Sequence, residues 1–176
     1  MRAPLLVLLL IAAPALAADT ARTEAAGLRF NVPATWTRVP AASDMRAAQF
    51  RIPRSGETAD DGELVLFHFG AGKGGGTQEN VDRWLGQLTQ PEGKPTKDVA
   101  VTTIRTVNGL KETIVDAPGT YTGMGGEPAK PGWRLLGAVV EGPGGPWFWK
   151  AVGPDTTIAA AKPAFEALLS SVEAHK

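Results

Sequence analysis

Asn108-Gly109, set between two runs rich in β-branched residues, constrains the fold of this chain more than any other feature. The runs are Val99 to Val107 and Leu110 to Val115. Both residues of the pair tolerate positive φ, which a two-residue turn needs if its twist is to match that of the strands it joins. A hairpin here commits the surrounding sheet to antiparallel pairing. Trp133 to Glu141 and Trp147 to Val152 form a second such pair, joined by Gly142-Pro143-Gly144-Gly145-Pro146, a turn by composition.

Further strands lie upstream. Leu28, Phe30 and Val32 alternate with Arg29 and Asn31 until Pro33 removes a backbone donor, and Trp36 follows in the turn. Gln49 to Ile52 alternates again, and Glu63 to Phe69 is nearly all apolar, as a central strand covered on both faces would be. After the glycine run Gly70 to Gly76, Thr77 is the expected cap of a helix over residues 77–90. Val81, Trp84, Leu85 and Leu88 repeat there at helical spacing, and Pro91, Gly93 and Pro95 end it. Asp116 to Gly132, with five glycines and three prolines, reads as a long loop anchored by Tyr121 and Met124, a lid or simply slack. A last helix puts Ile158, Phe165, Leu168, Leu169 and Val172 on one face, with Asp155 or Thr156 as cap and Pro163 in its early turns. Strands mostly in hairpins, with one helix inserted and one at the end, predict an α+β fold with a largely antiparallel β-sheet flanked by helices.

Residues 1–17 carry the three parts of a cleavable signal peptide: Arg2, the apolar run Leu5 to Ala13, and Ala15-Leu16-Ala17 as the cleavage site. The apolar run is shorter than the roughly 20 residues of a membrane-spanning helix. The expectation is a secreted or periplasmic protein with no membrane span after cleavage, a flexible leader over residues 18–26, and a single α+β domain over residues 27–176. Removing 17 of 176 residues leaves 159, enough for one core. The 18 basic and 18 acidic residues balance, which gives no electrostatic reason for a nucleic-acid partner. With no cysteine there is no disulfide, thiolate metal site, lipidated cysteine or cysteine nucleophile, so an apolar core must carry the fold.

Several local phrases point to a family: Gly27-x-x-Phe30-x-Val32-Pro33-x-x-Trp36, a glycine-rich turn followed by Asn80-x-x-Arg83-Trp84, Gly119-Thr120-Tyr121, Arg134-Leu135-Leu136-Gly137 and a closing Gly153-Pro154. Together, across most of Gly27 to Val172, the chain resembles uncharacterised secreted bacterial proteins of the PsbP-like α/β/α sandwich fold. The resemblance implies a fold shared by an extrinsic photosystem II subunit and by a small nuclear protein that binds the Ran GTPase, both binding or assembly factors. No motif of either binding site is present to carry over.

The remaining motifs are weak as chemistry. Gly70-x-Gly72-x-x-Gly75 has dinucleotide-turn spelling, but a hairpin follows where a parallel βαβ unit is required, and no acidic residue is placed for a ribose. It is no Walker loop either, because Phe67 and Gly74 stand where Gly and Ser or Thr are needed. Lys73 with the free N–H groups of the following helix could hold an anion. A serine triad lacks both an elbow and a placed histidine: His68 lies inside a strand and His175 in the tail. Asp60, Asp61 and Glu63 lack calcium-loop spacing, so no metal or cofactor is expected. The five tryptophans are more distinctive. Trp147 and Trp149 share a strand face and form either core or a platform for a ligand.

With no converging catalytic set, the reading is a non-enzymatic binding or assembly module of the cell envelope, its partner another envelope protein or a small ligand. The alternative is a ligand binder or enzyme with a pocket between the 77–90 helix and the 147–152 strand. Candidate contact residues are Lys73, Arg83, Tyr121, Trp147, Trp149 and His68.

Overall fold

The computed structural model describes residues 19–57, 60–124 and 128–175, so the signal-peptide segment lies outside it. An antiparallel sheet forms the middle layer. Its path runs β3 (Thr37–Arg38), β4 (Arg46–Ile52), β5 (Gly62–His68), β10 (Gly145–Pro154), β9 (Lys130–Gly142), β8 (Leu110–Tyr121) and β6 (Leu88–Thr89), and β7 (Val101–Val107) pairs with β8 beside β6. A smaller sheet holds β1 (Thr20–Ala25), β2 (Leu28–Pro33) and β11 (Glu173–Ala174). The helices are α1 (Thr77–Leu85) and α2 (Asp155–Ser170).

Both hairpins form where the turn chemistry places them. Asn108 and Gly109 take φ of 50° and 79°, and β7 and β8 pair from Val107↔Leu110 to Val101↔Asp116 without a register shift. The pleat sorts β9 and β10 between two faces. Leu136, Ala138, Val140, Trp147, Trp149 and Ala151 join α2 and β2 in the larger core, where Phe30 meets Trp149 edge-on at 4.8 Å. Leu135, Val139 and Phe148 join Val81 and Trp84 of α1 in a second core. A helix on each face of the sheet gives the expected α/β/α arrangement.

Four local expectations are corrected. Within the expected leader, residues 20–25 are strand: β1 pairs with β2 from Thr20↔Pro33 to Ala25↔Leu28. Its polar sequence reflects an exposed edge position. The helix beginning at Thr77 ends at Leu85 rather than near residue 90, and Leu88 becomes a buried strand residue paired with Tyr121. The 116–132 loop is mostly strand, since β8 continues to Tyr121 and β9 begins at Lys130. Pro118 is tolerated because it falls between the stretch of β8 paired with β7 and the stretch paired with β6. Finally, neither helix has the expected cap. Gly76 and Pro154 occupy the cap positions; Thr77 donates to Glu141 Oε1 at 2.7 Å, and Asp155 accepts from Arg134 Nε at 2.7 Å.

One buried charge makes stability depend on pH. Glu112 on β8 is wholly buried; its Oε2 accepts from Arg105 Nε at 2.6 Å, while its Oε1 meets no donor among the described residues. Burial pushes its carboxyl above the ordinary range, against the pull of Arg105. A carboxyl raised by folding contributes stability that is complete below its unfolded pKa and lost as pH rises through the folded value. Glu141 behaves oppositely. Hydrogen bonds from Thr77 and Lys111 hold it low, so its contribution is present above the unfolded pKa and lost as pH falls through the folded one. In urea unfolding from about pH 4 to pH 8, the stability difference between Glu112→Gln and the parent should move in favour of the variant as pH rises. A flat or reversed trend would show that the Arg105 pair outweighs burial.

Candidate functional site: an open groove beside the first helix

α1 has 9 residues, about 14 Å of helix at 1.5 Å per residue, and it cannot cover its face of an eight-stranded sheet. It sits over β8 and β9, where Gly137 leaves room for the Trp84 ring; a Cβ there would lie 2.4 Å from Trp84 Cε3. The rest of the face is a groove of two joined clefts that share Phe67, Lys150 and Met124. The cleft between α1 and β10 has about 290 Å³, with Phe148 and Trp84 inside it and Met45, Phe69 and Arg83 among its walls. Its neighbour, about 440 Å³, runs over Val65 and Val152 to Tyr121, Trp133, Lys130 and the Arg46–Glu63 ion pair.

Lys150 stands where the clefts meet. Its neighbours on β10, Phe148 and Val152, face the same way by strand alternation. Its Nζ donates to Gln87 Oε1 at 2.5 Å and to Tyr121 Oη at 3.0 Å, and lies 5.2 Å from the Tyr121 ring centroid. Gln87 is buried just beyond α1, and its Nε2 donates to Met124 Sδ at 3.2 Å. Tyr121 stacks on Trp133 with centroids 5.7 Å apart, and Lys130 Nζ caps the Trp133 ring at 4.4 Å. The groove therefore offers aromatic and thioether surfaces with the ammonium groups of Lys130 and Lys150 among them, while Arg46 and Arg83 are paired with Glu63 and Glu79 and Asp61 adds a carboxylate to the wall. Such a surface can hold an apolar body and an anionic group together.

The structure divides the sequence candidates. Arg83 and Tyr121 reach the groove; Arg83 lies at its helix side, bonded to Asn80 and Glu79, and Tyr121 is a buried strand residue rather than a loop anchor. Trp147 and Trp149 point to the other face and are 2% and 0% exposed, so they are core and present no platform. His68 also faces away, stacked on Trp147 at 5.1 Å with Nδ1 against the Pro146 carbonyl, so it does not meet Arg83. Lys73 is exposed on the glycine turn and does not line the neighbouring cavity, whose wall instead includes Glu141. With Glu79 beside the Gly76 N–H, carboxylates already answer this helix end. The expected pocket beside the 147–152 strand is there, but Phe148 and Lys150 form it. Lys150 was findable in the sequence as the one charge at the centre of an apolar strand.

No family model matches the sequence, and no curated protein matches it. Comparison with solved structures is informative. The solution structure of cyanobacterial PsbP (CyanoP) from Synechocystis sp. PCC 6803 is similar with a TM-score of 0.54 at 14% identity, covering 95% of this chain and 99% of that one. The fold is PsbP-like. A Pseudomonas aeruginosa protein of unknown function gives a TM-score of 0.47 at 13% identity, covering 86% of this chain and 94% of its own. A Bacteroides thetaiotaomicron protein gives 0.44 at 14% identity over 85% of this chain, which spans 46% of that longer one. Within the PsbP-like fold the groove occupies sheet surface that α1 leaves open. Among the described residues, no helix is long and apolar enough to cross a membrane.

Proposed function

We propose that this protein is an exported, non-catalytic binding module that takes an apolar, acid-flanked segment of another envelope protein into the groove beside α1. The observation that carries this reading is the distribution of exposed apolar side chains. Of the six large ones among the described residues, Met45, Phe69 and Met124, at 62%, 38% and 78% exposure, ring this one groove. Clustered exposure of that kind costs solubility unless a partner covers it, and flexible methionines suit a surface that adapts to what it binds. Arg83, Lys130 and Lys150 around the groove favour acidic flanks on the segment. The signal-like residues 1–17 support the envelope setting, and the resemblance to binding and assembly factors supports the binding role.

The test is capture from an envelope fraction with a bait beginning at Ala18, run in parallel with Phe69→Glu/Met124→Glu and with Lys97→Glu, an exposed position outside the groove. The same species should be retained by the parent and by Lys97→Glu and lost with the double variant, by about 100-fold in affinity if two apolar anchors fail. Retention by the double variant would overturn the reading. So would an empty parent bait together with thermal stabilisation by a small amphiphile, because the larger cleft is also of small-ligand size.

A further inference from the structure

The other three large apolar residues exposed among the described ones, Val99, Val101 and Ile104, lie on or just before β7, at 42%, 59% and 65% exposure. β7 pairs with β8 on one side and, among the described residues, with no strand on the other. Open edges are normally guarded by shortness, proline, a bulge or outward charge. β3 and β6 have 2 residues each, and β1 carries Arg22 and Glu24. β7 has none of these guards. It runs for 7 residues, contains no proline, keeps unbroken register, and its single charge, Arg105, is turned to Glu112 and the Glu166 carbonyl.

The order of residues along β7 selects the occupant. Val101-Thr102-Thr103-Ile104-Arg105-Thr106-Val107 is nearly a palindrome about Ile104. A second copy laid antiparallel on this edge sets Val101 against Val107, Thr102 against Thr106, Thr103 against Arg105, and Ile104 against its own copy. Valine, threonine and isoleucine pairs are favourable across strands, and in this register the two arginines never stand opposite each other. Such a contact is isologous and closes at two chains. We infer that the protein forms a two-fold dimer through β7–β7 pairing centred on Ile104, continuing the large sheet of each copy into the other. The groove lies elsewhere on the sheet and stays open in both copies, so this inference does not rest on the ligand it takes.

Absence of native cysteine makes the test clean. In the full chain, Ile104→Cys places two thiols across the dyad, where facing Cβ atoms are roughly 4.5–5.5 Å apart and within adjustment of disulfide geometry. In Val101→Cys the thiols would be about 20 Å apart, six residues at roughly 3.3 Å each. Under mild oxidation Ile104→Cys should cross-link to a dimer at least about tenfold faster than Val101→Cys. Sedimentation of the parent should show concentration-dependent dimers, and Ile104→Lys, which sets two ammonium groups face to face, should weaken them roughly tenfold or more with far-UV dichroism unchanged. A parent that stays monomeric from micromolar to millimolar concentration would overturn the inference. Equal cross-linking of the two cysteine variants would do the same, by showing that no fixed register exists.

Discussion

Trp84→Ala is expected to lower unfolding stability by about 3 to 5 kcal/mol. The indole is 5% exposed and packs with Val81, Leu135, Val139 and Phe148, and no side chain at Gly137 stands ready to fill the space it leaves. Loss of a large aromatic from such a site forfeits transfer energy and leaves a void. Because α1 is short, its apolar attachment rests on buried Val81 and Trp84 with partly buried Leu85, so the helix should loosen locally as well. Denaturant unfolding gives the stability, and amide exchange in residues 77–85 gives the local effect. A loss under about 1 kcal/mol would mean that α1 docks without this ring.

Gly145→Ala should be comparably damaging, at about 3 to 5 kcal/mol, for a different reason. Its φ is 127°, and an added Cβ would come within 2.7 Å of the carbonyl carbon and oxygen of Gly70. Backbone cannot rotate away as a side-chain tip can. Gly144→Ala separates the two causes, because Gly144 has a φ of 103° but its nearest obstacle is Trp147 at 3.9 Å. That control should cost only the conformational strain, about 1 to 2 kcal/mol. Equal losses at the two positions, measured by thermal unfolding, would show that the contact with Gly70 is not rigid.

The parts of this fold readable from sequence were those whose cause is local. The Asn108-Gly109 turn needs only its own φ values, the apolar β5 run needs only two covered faces, and Val81 with Trp84 needs only helical period. What escaped depended on partners distant in the chain. β1 is polar because one edge of it meets only β2. Gly119 suggests a loop until Thr89 and Gln90 are seen against it: a Cβ there would lie 2.9 Å from the Thr89 carbonyl oxygen and 2.6 Å from Gln90 Nε2. Leu88 keeps the helical phase of Val81 and Trp84 yet leaves the helix, because pairing with Tyr121 offers it a buried place in the sheet. The groove is assembled from β4, β5, α1, β8, β9 and β10 together with Gln87 and Met124, so no window of sequence contains it. Strand alternation could have assigned Lys150 to the face opposite Trp147 and Trp149. That α1 stops short of covering this face follows from its length, which the sequence overstates.

The burial of the tryptophans has an optical consequence. Trp36, Trp84, Trp147 and Trp149 are all under 8% exposed, while Trp133 is only partly buried and lies in the groove beside Tyr121 and Lys130. A collisional quencher added to the native protein will therefore reach essentially one indole of five. That indole is the one an occupant of the groove would shield, so the emission of the unlabelled chain is itself a gauge of whether the groove is filled.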